Sequence, residues 1–121
     1  MSLNRVAPLA AVFLLFSSLA HGHAILLSAS PAAGEVIHVS DVDVSLKFNA
    51  RIDAKRSGIR LVPPVGEPRT LTLSEQGSPD SLNAQIHGLG SGTFTLQWQV
   101  LALDGHITRG EVSFRVELKT E

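Results

Sequence analysis

Apolar side chains recur at every second residue through six short segments of this chain. They are Val44-Leu46-Phe48, Ile59-Leu61, Leu71-Leu73, Leu82-Ala84-Ile86, Phe94-Leu96-Trp98-Val100 and Val112-Phe114-Val116-Leu118. A period of two puts successive side chains on opposite faces of a strand, so each segment has one apolar and one polar face. A chain built this way hides its apolar faces by laying one sheet on another. Breakers fall where such strands must turn: Ser30-Pro31-Ala32-Ala33-Gly34, Pro63-Pro64-Val65-Gly66, Gln76-Gly77-Ser78-Pro79-Asp80 and Gly88-Leu89-Gly90-Ser91-Gly92. No segment carries a helical apolar stripe beyond a turn or two, and no internal repeat, heptad or low-complexity tract is present. The expectation is an all-β domain of about seven short antiparallel strands, a small Greek-key β-sandwich or barrel of immunoglobulin-like (cupredoxin-like) architecture. Trp98 falls on the inward parity of its segment and is expected in the core rather than on a ligand.

The first 22 residues follow a different logic. Arg5 is their only charge, a largely apolar run from Val6 to Phe16 follows, and Ser17-Ser18-Leu19-Ala20-His21-Gly22 supplies small residues suited to signal peptidase. The run is too short for a comfortable membrane span and contains Pro8, so residues 1–22 read as a cleaved signal peptide and not an anchor. Residues 23–121 would then form one exported domain, enough chain for a single core. The net charge of −1 becomes −2 once Arg5 is removed, which gives no reason to expect nucleic acid or an anionic membrane surface as a partner. Exported domains of this size often rely on disulfides, yet there is no cysteine, so stability must come from packing. The absence of thiols also removes the softest ligands for zinc or Cu(I).

Cleavage after Gly22 exposes His23 with a free α-amine. That amine and the Nδ1 of the same ring can close a six-membered chelate on one metal ion, which an internal histidine cannot do. Near the other end, Asp104-Gly105-His106 adds a carboxylate and a second imidazole. On an extended segment, positions i and i+2 share a face and could address one ion, with Gly105 lending freedom to a turn. By itself the tripeptide is more often a turn between strands than a ligand pair. With His23 it completes the donor set of a type II copper site: two imidazoles, an amine and a carboxylate favour tetragonal Cu(II), which outcompetes other divalent first-row ions at such donors.

The run from His23 through Ser30-Pro31-Ala32-Ala33-Gly34 resembles the mature N-terminus of CopC-type copper-binding proteins, and Val44-Ser45-Leu46-Lys47-Phe48 resembles the strand that follows it. Phe94 to Val100, Leu101-Ala102-Leu103-Asp104-Gly105-His106-Ile107-Thr108-Arg109-Gly110 and Val112-Ser113-Phe114-Arg115-Val116 are similar to that family's last strands and metal loop. The resemblance spans the whole mature domain. It implies a monomeric periplasmic protein, not an enzyme, that binds one Cu(II) per chain through His23, His106 and Asp104. It also implies a CopD-like inner-membrane permease as the recipient of the metal. Some members carry a second, Cu(I) site in a Met-rich stretch. Here the only methionine is Met1, so a Cu(I) site is not expected.

Other readings stay open at this stage. Cleavage after Ala20 would start the chain at His21-Gly22-His23, a different copper-chelating terminus. An N-terminal histidine with a further imidazole also serves monooxygenase-like oxidative enzymes, although the absence of tyrosine and the available carboxylate speak against that. A metal-free immunoglobulin-like interaction module is the third. His38 and His87 flank turns without partner motifs and are expected to be solvated loop histidines.

Overall fold

The computed structural model describes residues 24–119, whose segments of alternating polarity form two packed sheets. The strands are β1 (Leu26–Ser30), β2 (Val36–Ile37), β3 (Val42–Phe48), β4 (Gly58–Val62), β5 (Arg69–Thr70), β6 (Ser81–Ile86), β7 (Gly92–Leu101) and β8 (Ile107–Val116), with one short 3-10 turn at Ala54–Arg56. One sheet has the order β1-β3-β6 and the other β2-β8-β7-β4-β5. Alternation is cleanest in β3, where Val42, Val44, Leu46 and Phe48 are buried and the residues between them are exposed.

The expected sandwich is present, with three adjustments. The described residues form eight strands, because β1 and β2 carry too little alternation to be recognised from pattern alone. The pairing is not wholly antiparallel: β2 runs parallel to β8, with Val36 opposite Arg115 and Ile37 opposite Val116. After β1 the chain turns out of the three-stranded sheet and lies along the edge of the other, held by bonds from Gly34 N to Ser113 O and from Arg115 N to Glu35 O. Leu71-Leu73 is not a strand. β5 ends at Thr70, and the chain then crosses to the other sheet, where Leu73 makes a single bridge to Ala84. Leu71 is buried during this crossing, which accounts for its strand-like polarity.

The core lies between the sheets and centres on Phe48, Phe114, Leu46, Leu96, Val100 and Val116, each 1% exposed or less. Trp98 is inward, as its parity requires, and meets Phe48 of the opposite sheet edge-to-face at a centroid separation of 5.1 Å. Its ring lies across Gly110, its partner on β8; a Cβ at Gly110 would come within 2.3 Å of Trp98 Cζ2. The glycine is required there by close packing.

The loop before β6 closes the end of β3. Phe48 N donates to Asp80 O, and Ser78 Oγ donates to Asp80 Oδ1 at 2.6 Å. The Ser78 hydroxyl is the main reason that the Asp80 carboxyl is held below its ordinary value of 3.8, with Lys47 adding to the effect and partial desolvation opposing it. A depressed folded value means that ionised Asp80 contributes stability above pH 3.8, which is lost as the pH falls through the folded value. Thermal midpoints measured from pH 6 down to about 2 should therefore fall less for Asp80→Asn than for the wild type. Parallel acid limbs would refute the assignment.

Candidate metal centre

The β7–β8 ladder ends at the pair Leu101 and Ile107, and the five residues between them form a compact turn. Ala102 N donates to His106 O, and Gly105 N donates to Ala102 O, both at 2.9 Å. Gly105 has φ +95°, a backbone state that glycine adopts without the strain a Cβ would bring. The Asp104 side chain accepts from His106 N at 3.1 Å, the local Asx bond by which aspartate shapes turns. Its Oδ1 also lies 3.2 Å from His106 Nδ1.

The tripeptide is thus both a turn and a donor pair. The sequence argument for a shared face assumed an extended segment, and that geometry is corrected: the turn folds the carboxylate back onto the imidazole. Both side chains are about half exposed (54% for His106 and 46% for Asp104), so their attraction adds little to fold stability. A carboxylate and an imidazole held together at the surface are two donor types that suit a metal ion.

The other half of the expected site concerns His23, which lies outside the described residues. Its neighbours along the chain are informative. Ala24 is 1% exposed and belongs to the core cluster, and Ile25 is clamped to the end of β3: its N donates to Asn49 Oδ1 at 2.7 Å, and its O accepts from Asn49 N at 3.0 Å. Two residues further on, Arg51 O accepts from Leu103 N at 3.1 Å. One short segment, Asn49 to Arg51, therefore ties the start of the described chain to the turn that carries Asp104 and His106. Asn49 was not singled out from sequence. Its only signal was an amide at the end of a strand, a common occurrence that does not announce a clamp. Among the described residues, no group of three or more His, Asp, Glu or Cys side chains gathers around a metal-sized space.

The remaining histidines sit elsewhere. His38 Nδ1 bonds Glu117 O at 2.8 Å, just past the end of β8. β8 has ten residues and begins beside the Asp104–His106 turn, so His38 lies roughly 30 Å from His106 along the sheet. His87 Nδ1 stands 3.6 Å from Asp41 Oδ1, before the first residue of β3 and at the opposite end of that strand from Asn49. Both are exposed, as expected of loop histidines.

Comparison with known proteins bears on the whole of this frame. Residues 26–117 match the family model of the CopC domain. The chain is 30% identical over 98 residues to Protein YobA of Escherichia coli K12, covering 78% of this chain and 79% of that protein. It is 28% identical over 133 aligned residues to Copper resistance protein C of Pseudomonas syringae pv. tomato, covering 97% of this chain and all of the relative. The crystal structure of CopC from Methylosinus trichosporium OB3b superposes with a TM-score of 0.73 at 26% identity, covering 82% of this chain and 98% of that one. The match takes in both sheets, the strand end that holds Ile25 and the turn that pairs Asp104 with His106, and on that extent the chain belongs to the CopC family.

Proposed function

We propose that this protein is exported to the periplasm, loses residues 1–22, and there holds one Cu(II) for sequestration or transfer. Its donors are the α-amine and ring of His23, the ring of His106 and the carboxylate of Asp104. The observation that carries the reading is the Asp104–His106 pair, closed to 3.2 Å in an exposed turn that shares the Asn49–Arg51 segment with the start of the described chain. Family membership and the name of the Pseudomonas relative support copper as the cargo.

The donor chemistry gives the mechanism. Nitrogen and oxygen donors of this kind suit Cu(II), whereas Cu(I) prefers thiolates and thioethers, neither of which occurs in residues 23–121. Reduction with ascorbate should therefore release the metal to a Cu(I) chelator. A tight Cu(I) complex that survives bicinchoninate would contradict this. We read the protein as a carrier and not an oxidase, because the Asp104 carboxylate would be available to fill a copper position that oxygen activation needs open. A CopD-like permease of the inner membrane is the proposed recipient.

The free amine separates this site from an ordinary two-histidine site, so it supplies the test. An unperturbed α-amine titrates near pH ~7.7–8, and Cu(II) must displace its proton, so apparent affinity should rise with pH through the neutral range. Adding a methionine before His23 keeps both rings and Asp104 but removes the amine chelate. Competition titrations should show affinity at least about tenfold weaker, about 1.4 kcal/mol, with a flatter pH dependence. Paramagnetic resonance should count one nitrogen fewer. Equal affinity and nitrogen count in the two proteins would remove the amine from the ligand set.

A further inference from the structure

The outer face of the five-stranded sheet carries an open groove of about 690 Å³ that the copper reading does not use. Three arginines line it: Arg56 from the 3-10 turn, Arg60 from β4 and Arg109 from β8. Glu111 is the only carboxylate in the lining. Arg56 has a loose ion pair with Asp53 at 3.8 Å, outside the groove. Arg60 has no ion pair among the described residues, and neither has Arg109. Arg109 Nε instead donates to Gln99 Oε1 at 2.6 Å, a neutral acceptor on the neighbouring strand. That bond holds the guanidinium without neutralising it.

Gly58 is a second and independent pointer. It pairs with Gln99, whose own pair is Arg109, and precedes Arg60 by two residues on β4, so it shares their outward face and forms one corner of the groove. A Cβ at Gly58 would meet no heavy atom within 4 Å, and its φ is not in the left-handed region. Neither packing nor backbone conformation demands a glycine here, although glycine weakens a strand. Close approach by a ligand or another backbone is one reason for a glycine on a strand.

We infer that this groove is a docking surface for an extended acidic segment of another polypeptide. The spacing favours a chain over a small anion. Arg60 and Arg109 stand on strands separated by β7, about 10 Å across the sheet, and are offset by two residues, about 7 Å along it. One carboxylate cannot take a bidentate bond from both, whereas acidic residues on an extended segment can supply one carboxylate to each. Gly58 leaves the corner of the groove beside Arg60 open to that segment's backbone. Glu111 repels acid at one corner and so selects which way the segment lies.

The test is a fluorescence-anisotropy titration of purified metal-free protein with a rhodamine-labelled octapeptide alternating Glu and Ala, alongside Gln–Ala and Lys–Ala peptides. The Glu peptide should bind, with affinity falling as salt rises, and the two controls should not. Arg60→Glu with Arg109→Glu should weaken binding at least about tenfold, because charge-assisted bonds become repulsions. Gly58→Val should weaken it comparably by filling that corner of the groove, with folding checked by circular dichroism. Should that variant misfold, the double charge reversal, which alters only exposed side chains, decides. His106→Ala should bind the peptide like the wild type, so failure of the copper reading leaves this one standing. No binding of the Glu peptide, or undiminished binding by the charge-reversed protein, overturns the proposal. Citrate binding as tightly as the peptide overturns its assignment to a polypeptide.

Discussion

His106→Ala is expected to weaken Cu(II) binding by roughly a hundredfold or more, since loss of an outer partner of a metal ligand alone typically costs 10–100-fold. The alanine removes an imidazole that no nearby residue replaces: His38 and His87 belong to the far ends of β8 and β3. His38→Ala and His87→Ala should therefore leave the affinity close to that of the wild type. Asp104→Asn should fall between. An asparagine oxygen can still accept from His106 N and keep the turn, but it cannot neutralise charge on the ion. The fold should survive all four changes, because the side chains are exposed and a surface carboxylate–imidazole pair contributes at most about 1 kcal/mol. Competition titration and thermal unfolding of the same samples check both halves. Wild-type affinity in His106→Ala would sink the site.

Phe48→Ala should cost about 3–5 kcal/mol of folding stability, as large-to-small changes at fully buried aromatics do. Phe48 is 0% exposed, closes β3 opposite Leu26, and presents its ring edge-to-face to Trp98 across the two sheets. Truncation therefore opens a void at the one place where, among the described residues, the sheets are joined by an aromatic pair. No disulfide can compensate, because the chain has no cysteine. Against a typical total of about 5–15 kcal/mol, that loss is a large fraction of the whole. Urea unfolding measures it directly, and Trp98, the single tryptophan, reports it through a changed emission in the folded state. A loss under about 1 kcal/mol, the ordinary cost of an average substitution, would mean that the contact with Trp98 does not hold the sheets together.

The two predictions differ in how much of their basis can be read without coordinates. Phe48, Leu46 and Val44 declare an inward face through strict alternation, as do Phe94, Leu96, Trp98 and Val100, because a strand's side-chain period follows from covalent geometry. The same local rule placed a turn at Asp104-Gly105-His106, since aspartate bonds the backbone two residues ahead and glycine tolerates positive φ. Alternation failed at Leu71-Leu73. Burial there comes from a crossing between sheets, and an alternating pattern records which residues are buried without saying what buries them.

What residues 24–119 decide only by folding is adjacency between segments distant in the chain. No local preference pairs β2 in parallel with β8; that follows from the edge β8 leaves beside the turn after β1. Asn49 acquires its meaning from Ile25, 24 residues away, and the Gly58–Gln99–Arg109 row exists only because β4, β7 and β8 lie side by side. The sequence alone determined the sandwich and suggested the donor types of the proposed site, because element periodicity and side-chain chemistry are properties of single residues and their near neighbours. The tertiary structure alone decided that Asn49 to Arg51 binds both the start of the described chain and the turn that carries Asp104 and His106, because those contacts join segments distant in the chain.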